Sequence, residues 1–173
     1  MPSSRAELAH QYSLKALSTS AHGHHEEAAE LLLKACNLQP DAGVLWYNLG
    51  IEYLALQQPE QARESFQKAL ACGEDTAELH TNLGLAWYAL HEYTQAEQCY
   101  STALMKNPAC SEALNNFGVL CFVQKHYEQA RHFFEQAIAY NPEYQDALIN
   151  LRDTYETLGL FELAHKIARH ISL

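Results

Sequence analysis

The chain repeats itself every 34 residues, and no other feature limits its fold as strongly. YNLG at 47–50 returns as TNLG at 81–84, NNFG at 115–118 and INLR at 149–152, each with Asn in second place. One small-residue column runs through Ala28, Ala62, Ala96, Ala130 and Ala164, and another through Ala35, Ala69, Ala103, Ala137 and Ile171. Between them lies a bulky column of Leu32, Phe66, Tyr100, Phe134 and then Ala168. Pro40, Pro108 and Pro142 close three copies, and CGED at 72–75 closes another. A period of this length marks stacked supersecondary units, none of which can bury its apolar faces alone.

Each copy holds two helical patterns separated by a short polar break. Trp46, Leu49, Gly50 and Tyr53 fall on one helical stripe, and Gln58-Pro59 begins the next, with Pro at a first position where its missing N–H costs nothing. Ser4 with Glu7, and Asp75 with Glu78, have capping-box spacing. No segment sustains period-two alternation, so the expected fold is all-α. Ala62 and Gly50 leave room for two helices to approach closely, while Phe66 and Tyr53 fill the gaps beside them.

The spacing Trp46, Leu49-Gly50, Tyr53, Ala62, Phe66, Ala69 resembles the tetratricopeptide repeat, whose pattern is W-x2-L-G-x2-Y, then A-x3-F, then P. The resemblance implies a right-handed α-solenoid of stacked antiparallel hairpins, five repeats and ten helices. The copies fall at about 9–42, 43–76, 77–110, 111–144 and 145–173, after a lead-in at 1–8, in a single solenoid domain. The match is weaker in the first copy, with Tyr12, Lys15 and Ala16 at the first-helix positions, and in the fifth, where Arg152 stands in the glycine column.

Solenoids of this family curve with their first helices on the concave side. By that resemblance the groove presents Asn48, Asn82, Asn116 and Asn150 as a ladder, with Tyr47, Ile51, Leu54, Leu85, Tyr88, Asn115, Val119 and Phe122 around it. An Asn amide both donates and accepts, so a ladder of them can pair with the backbone of an extended peptide whatever its sequence. The other reading is an Asn merely tolerated on a solvated face. Each such bond contributes only about 0.5–1.5 kcal/mol net, whereas a micromolar complex needs about 8 kcal/mol, so apolar contact must supply most of the affinity. The function expected is a non-enzymatic adaptor or chaperone-like module holding a partly apolar segment. The alternative is a homo-oligomeric scaffold assembled through the terminal repeats, where Phe161, Leu163, Ile167, Ile171 and Leu173 exceed one inward stripe.

Other classes receive little support. Twenty-one Asp and Glu against 11 Lys and Arg give a net charge of −10, which disfavours nucleic acid and anionic membranes as partners. The opening MPSSRAELAHQY lacks a signal-peptide apolar run, and no stretch approaches the roughly 18 apolar residues of a membrane span, so a cytoplasmic protein is expected. Cys36, Cys72, Cys99, Cys110 and Cys121 form no CxxC pair and read as reduced packing thiols. His22, His24, His25, His91 and His126 fall at turns and read as solvated, with a metal site or a pH response as alternatives; no metal or other cofactor is expected. No nucleophile, Walker or HExxH motif occurs.

The groove positions of the second to fourth copies carry no Lys or Arg, and they include Glu78 and Glu112. Peptides rich in Asp and Glu are therefore expected to bind less tightly than neutral or basic peptides of equal length, an order that a fluorescence-polarisation series measures directly.

Overall fold

The computed structural model describes residues 4–171, and among these residues there are ten α-helices and no strand. The chain divides into two compact units that meet at His91 and Glu92. The first contains α1 (Arg5–Ala21), α2 (His25–Leu38), α3 (Gly43–Ala55), α4 (Pro59–Ala71) and α5 (Ala77–Ala89). The second contains α6 (Tyr93–Lys106), α7 (Ser111–Val123), α8 (Tyr127–Tyr140), α9 (Gln145–Thr157) and α10 (Phe161–Ile171). Within each unit every helix packs on the next in sequence, so hairpins α1/α2, α3/α4, α7/α8 and α9/α10 form and stack.

The small columns have the role their chemistry requires. A Cβ on Gly50 would lie 2.5 Å from Phe66 Cε1, and one on Gly118 would lie 2.5 Å from Phe134 Cε1. Phe66 and Phe134 are almost completely enclosed. Each aromatic ring thus lies directly over the backbone of the partner helix, and Ala62 and Ala130 are fully buried a turn away. In the second unit Phe134, Ala130, Cys121, Leu151, Tyr155 and Ala164 form one core cluster, with Phe117 and Ile167 packed against it.

The hairpin turns also follow the period. Gly23, Gln57, His91, Lys125 and Gly159 all adopt positive φ, between 56° and 79°. This left-handed residue lets the chain reverse while the last carbonyls of the first helix remain bonded, as in Gln58 N–H to Tyr53 O (2.8 Å) and His126 N–H to Cys121 O (2.8 Å). Only two of the five are glycine; the others accept the steric cost of a Cβ in that region.

Two local expectations resolve differently. Ser4 and Glu7 form the capping box, with bonds of 2.8 and 3.1 Å. Asp75 does not cap α5: Thr76 does, its hydroxyl accepting from Leu79 N–H at 3.1 Å, while Asp75 Oδ1 lies 2.8 Å from His80 Nε2. Either residue precedes the helix, and the hydroxyl one place nearer to the first turn has the shorter reach.

Because the Gly118 gap is filled by an enclosed ring rather than by solvent, Gly118→Ala is expected to destabilise by about 1–3 kcal/mol through overpacking. Pairing it with Phe134→Leu, which withdraws the ring edge, is expected to recover part of that loss in urea melts.

Candidate functional site

The first helices of each unit carry the residues that the tetratricopeptide resemblance implies for a binding face. In the first unit these are α1, α3 and α5. Tyr47 is half-buried, its ring tilted against Phe66 at 5.9 Å between centroids, and its hydroxyl accepts from Asn82 Nδ2 at 3.1 Å. Burial pushes the Tyr47 phenol above its ordinary value, and the Asn82 bond partly offsets this. Asn48, Asn82, Leu54, Leu85 and Tyr88 are half-buried, whereas Ile51 is exposed.

The second unit repeats the arrangement in α7 and α9. Asn150 Nδ2 donates to Asn115 Oδ1 at 2.9 Å, and Asn115 Nδ2 donates to Asn116 Oδ1 at 3.4 Å. Both inter-repeat bonds join residues 35 apart: each conserves the step from an Asn to the residue preceding the Asn column one copy earlier. The Asn column therefore ties successive first helices together. One amide hydrogen of Asn82 and of Asn150 is used in this way, and their carbonyl oxygens take no part in the bond. Asn115, expected on the binding face, is only 5% exposed and lies beneath it as a bracket. Tyr144 also packs here; burial raises its phenol, opposed by a hydrogen bond with Asn115.

Beside the Asn150 amide, Val119, Phe122, Phe134 and Asp153 line a pocket of about 100 Å3. Arg152, which replaces the column glycine, donates from Nε and Nη2 to Asp153 Oδ1 at 2.9 and 2.6 Å, fixing that carboxylate at the rim. Phe122 meets Tyr127 edge-on at 5.1 Å.

The register also places Leu14 in the Asn column and Leu17 in the Ile51 column of the first copy. Both are over half exposed. Sequence reasoning passed over them because the first copy matches the repeat pattern weakly, although counting back 34 residues from Asn48 and Ile51 reaches them.

Other candidate residues fall elsewhere. His25 is not a solvated turn histidine: its Nδ1 lies 2.8 Å from Oε2 of Glu52, which is only 5% exposed. His22 Nδ1 lies 2.7 Å from Ser18 O. Among the described residues no group of three His, Cys, Asp or Glu is arranged to hold a metal ion. All five cysteines are free. Burial pushes the Cys36 thiol from an ordinary 9.0 to about 12, and those of Cys99 and Cys121 to about 11, which withholds the thiolate that nucleophilic chemistry needs. At the chain's end Phe161 and Leu163 are exposed and Ile171 is half-buried, but Ile167 packs into the core. Leu173 lies outside the described residues, as do the first three residues of the segment read for a leader. No described helix is long and apolar enough to cross a membrane.

Sequence models of the tetratricopeptide repeat match residues 44–72, 77–110 and 111–144, more than half of the chain. The chain belongs to the tetratricopeptide repeat family. Its fold is the all-α helical-hairpin solenoid of that family. The pilF protein of Pseudomonas aeruginosa superposes with a TM-score of 0.85 at 23% identity, covering 98% of this chain and 78% of that one. MamA from Desulfovibrio magneticus RS-1 gives a TM-score of 0.82 at 17% identity, covering 96% and 94%. YrrB, a tetratricopeptide repeat protein with an unusual peptide-binding site, gives 0.69 at 25% identity, covering 90% and 80%. No curated protein matches the chain in sequence. Tetratricopeptide repeats are in general non-catalytic interaction modules.

The Asn150–Asn115 bond is expected to couple the two residues by about 0.5–1.5 kcal/mol in a double-mutant cycle of Asn115→Ala and Asn150→Ala, read by urea unfolding. The same cycle between Asn82 and Asn150, which belong to separate hydrogen-bond networks in different units, is expected to be additive.

Proposed function

We propose that this chain is a non-enzymatic protein-interaction module, adaptor or chaperone-like, that holds an extended and partly apolar segment of a partner along the faces of its first helices. The observation that carries this reading is the row of aliphatic side chains standing in water on those faces: Leu14 at 53%, Leu17 at 52%, Val44 at 51% and Ile51 at 37% exposure in the first unit, and Val123 at 44% in the second. Single exposed aliphatics are ordinary, but a set gathered in one register column after another forms a contact surface.

Asn48, Asn82, Asn116 and Asn150 provide backbone contacts in this reading, with Tyr47, Leu54, Leu85, Tyr88, Val119 and Phe122 providing apolar contact beside Ile51. Asn115 contributes by holding Asn150. Since two of the four Asn amides, Asn82 and Asn150, already spend a donor on the preceding repeat, apolar contact has to carry a larger share of affinity than a free ladder would require. Exposed Glu78, Glu112, Asp146 and Glu156 favour a neutral or basic segment. The peptide-binding site of YrrB supports a peptide ligand, and the five free thiols support a cytoplasmic location. No cofactor enters this function.

A second reading has its own observation. Phe161 at 68% and Leu163 at 41% exposure favour a homo-oligomeric scaffold joined through the last repeat. Peptides selected from a random library separate the two. The groove reading expects enrichment of aliphatic residues with Lys or Arg, and an affinity loss of about tenfold or more for Leu17→Ser and for Phe122→Ala. Selected peptides that ignore both substitutions, together with a light-scattering mass above the monomer that Phe161→Ser lowers, would instead establish the scaffold.

A further inference from the structure

A cleft of about 660 Å3 opens between α6, α7 and α8 in the second unit and shares no lining residue with the small pocket beside Asn150. The repeat itself supplies the standard against which to judge it. Residues 63, 97 and 131 occupy one register column on the second helices, and residues 87, 121 and 155 occupy one on the following first helices. At the first of these junctions the Arg63 guanidinium lies over the Trp87 ring, 5.2 Å from its centroid. At the last, Arg131 and Tyr155 converge on one carboxylate: Tyr155 O–H donates to Glu135 Oε1 at 2.9 Å, and Arg131 Nε is 3.9 Å from the same oxygen. The middle junction has Glu97 and Cys121 instead.

Two changes therefore coincide at one place. A small thiol stands where the neighbouring junctions have a large aromatic ring, and this leaves the volume of the cleft. A carboxylate stands where they have a guanidinium. Glu97 lines the cleft and makes no ion pair among the described residues, and its charge is close enough to Cys121 to act on the thiol. The cleft keeps an aromatic wall: Phe117 and Phe133 stack at 4.3 Å with 17° between their planes. Its other carboxylate, Glu128, is already engaged by Arg131 Nη2 at 3.0 Å. No Lys or Arg lines it.

We propose that this cleft receives an arginine side chain of a protein partner, its guanidinium paired with Glu97 and its plane laid against the Phe117–Phe133 wall. A guanidinium is planar, weakly hydrated and always charged, so it satisfies a carboxylate and an aromatic face together. An ammonium is compact and strongly hydrated and meets only the carboxylate. The guest restores from outside the cation that the array supplies from within at the junctions on Arg63 and Arg131. The assignment does not depend on the proposed binding groove, because the cleft shares Phe117 and Cys121 with α7 but is lined by none of the groove residues.

The test uses N-acetyl-L-arginine amide, with the citrulline and lysine analogues as neutral and ammonium controls, titrated into the 15N-labelled chain. Saturable shifts centred on the amides of Phe117, Cys121 and Phe133 are expected for the arginine probe, with responses at least about fivefold weaker for either control. Glu97→Gln, which keeps the volume and removes the charge, is expected to weaken the arginine probe by a similar factor. Glu97→Arg with Cys121→Trp installs the Arg63–Trp87 pair at this junction, and is expected to abolish the shifts while circular dichroism remains helical. If that double variant does not fold, Glu97→Gln still decides the matter. Equal responses to arginine and citrulline, an equal response to lysine, an unchanged affinity in Glu97→Gln, or no saturable shift in the cleft would each overturn the assignment.

Discussion

Each unit is built around a hairpin, α3/α4 or α7/α8, whose two helices meet through the contact between a glycine backbone and an aromatic ring. With no Cβ at Gly50 or Gly118, the rings of Phe66 and Phe134 settle onto the backbone of the partner helix, and the buried alanines flanking them hold the same close approach along the pair. This contact gives α3/α4 and α7/α8 the same internal geometry. Within each unit the helices then pack one on the next, and a residue at a given register position recurs on the corresponding face of a neighbouring copy. Without that constancy neither a column of amides nor a column of aliphatics would have structural meaning.

Constancy explains why a polar residue persists in the middle of the first helices. The Asn amide reaches back one copy, to the Tyr47 hydroxyl in the first unit and to the Asn115 amide in the second. Binding and cohesion are therefore not alternatives at this column. An amide oriented by an inter-repeat bond has lost its rotamer freedom before any ligand arrives, and that entropy need not be spent on association. The faces differ in their surroundings all the same. Leu14, Leu17, Val44 and Ile51 make the first unit's face apolar, whereas Asp146, Asp153 and Glu156 load the fifth repeat's helix with acid, one of these carboxylates held by Arg152.

The period made the helix pairs, their small columns and the Phe66 and Phe134 positions legible before any coordinates, because steric demand at a close helix approach admits very few residue types. The turns were not legible in this way. Gln57, His91 and Lys125 adopt left-handed backbone without being glycine, so composition concealed a column that Gly23 and Gly159 mark only at the ends. The burial of Asn115 was hidden too, since its neighbour Asn116 has the same side chain and only the helix phase separates the half-buried residue from the buried one. His25 and Glu52 lie 27 residues apart, outside the repeat's own step, and no periodic argument connects them. Sequence columns read out what every copy shares; they are silent on contacts that a single copy makes.

The central claim is that partners meet this chain on its first helices. Photo-crosslinking in cells tests it most directly, with a benzoyl-phenylalanine at Ile51, exposed on α3, compared with one at Gln67, exposed on α4. The account predicts a discrete crosslinked partner from position 51 and none from position 67. Crosslinks from position 67 with none from position 51 would contradict it and move the interaction surface to the second helices.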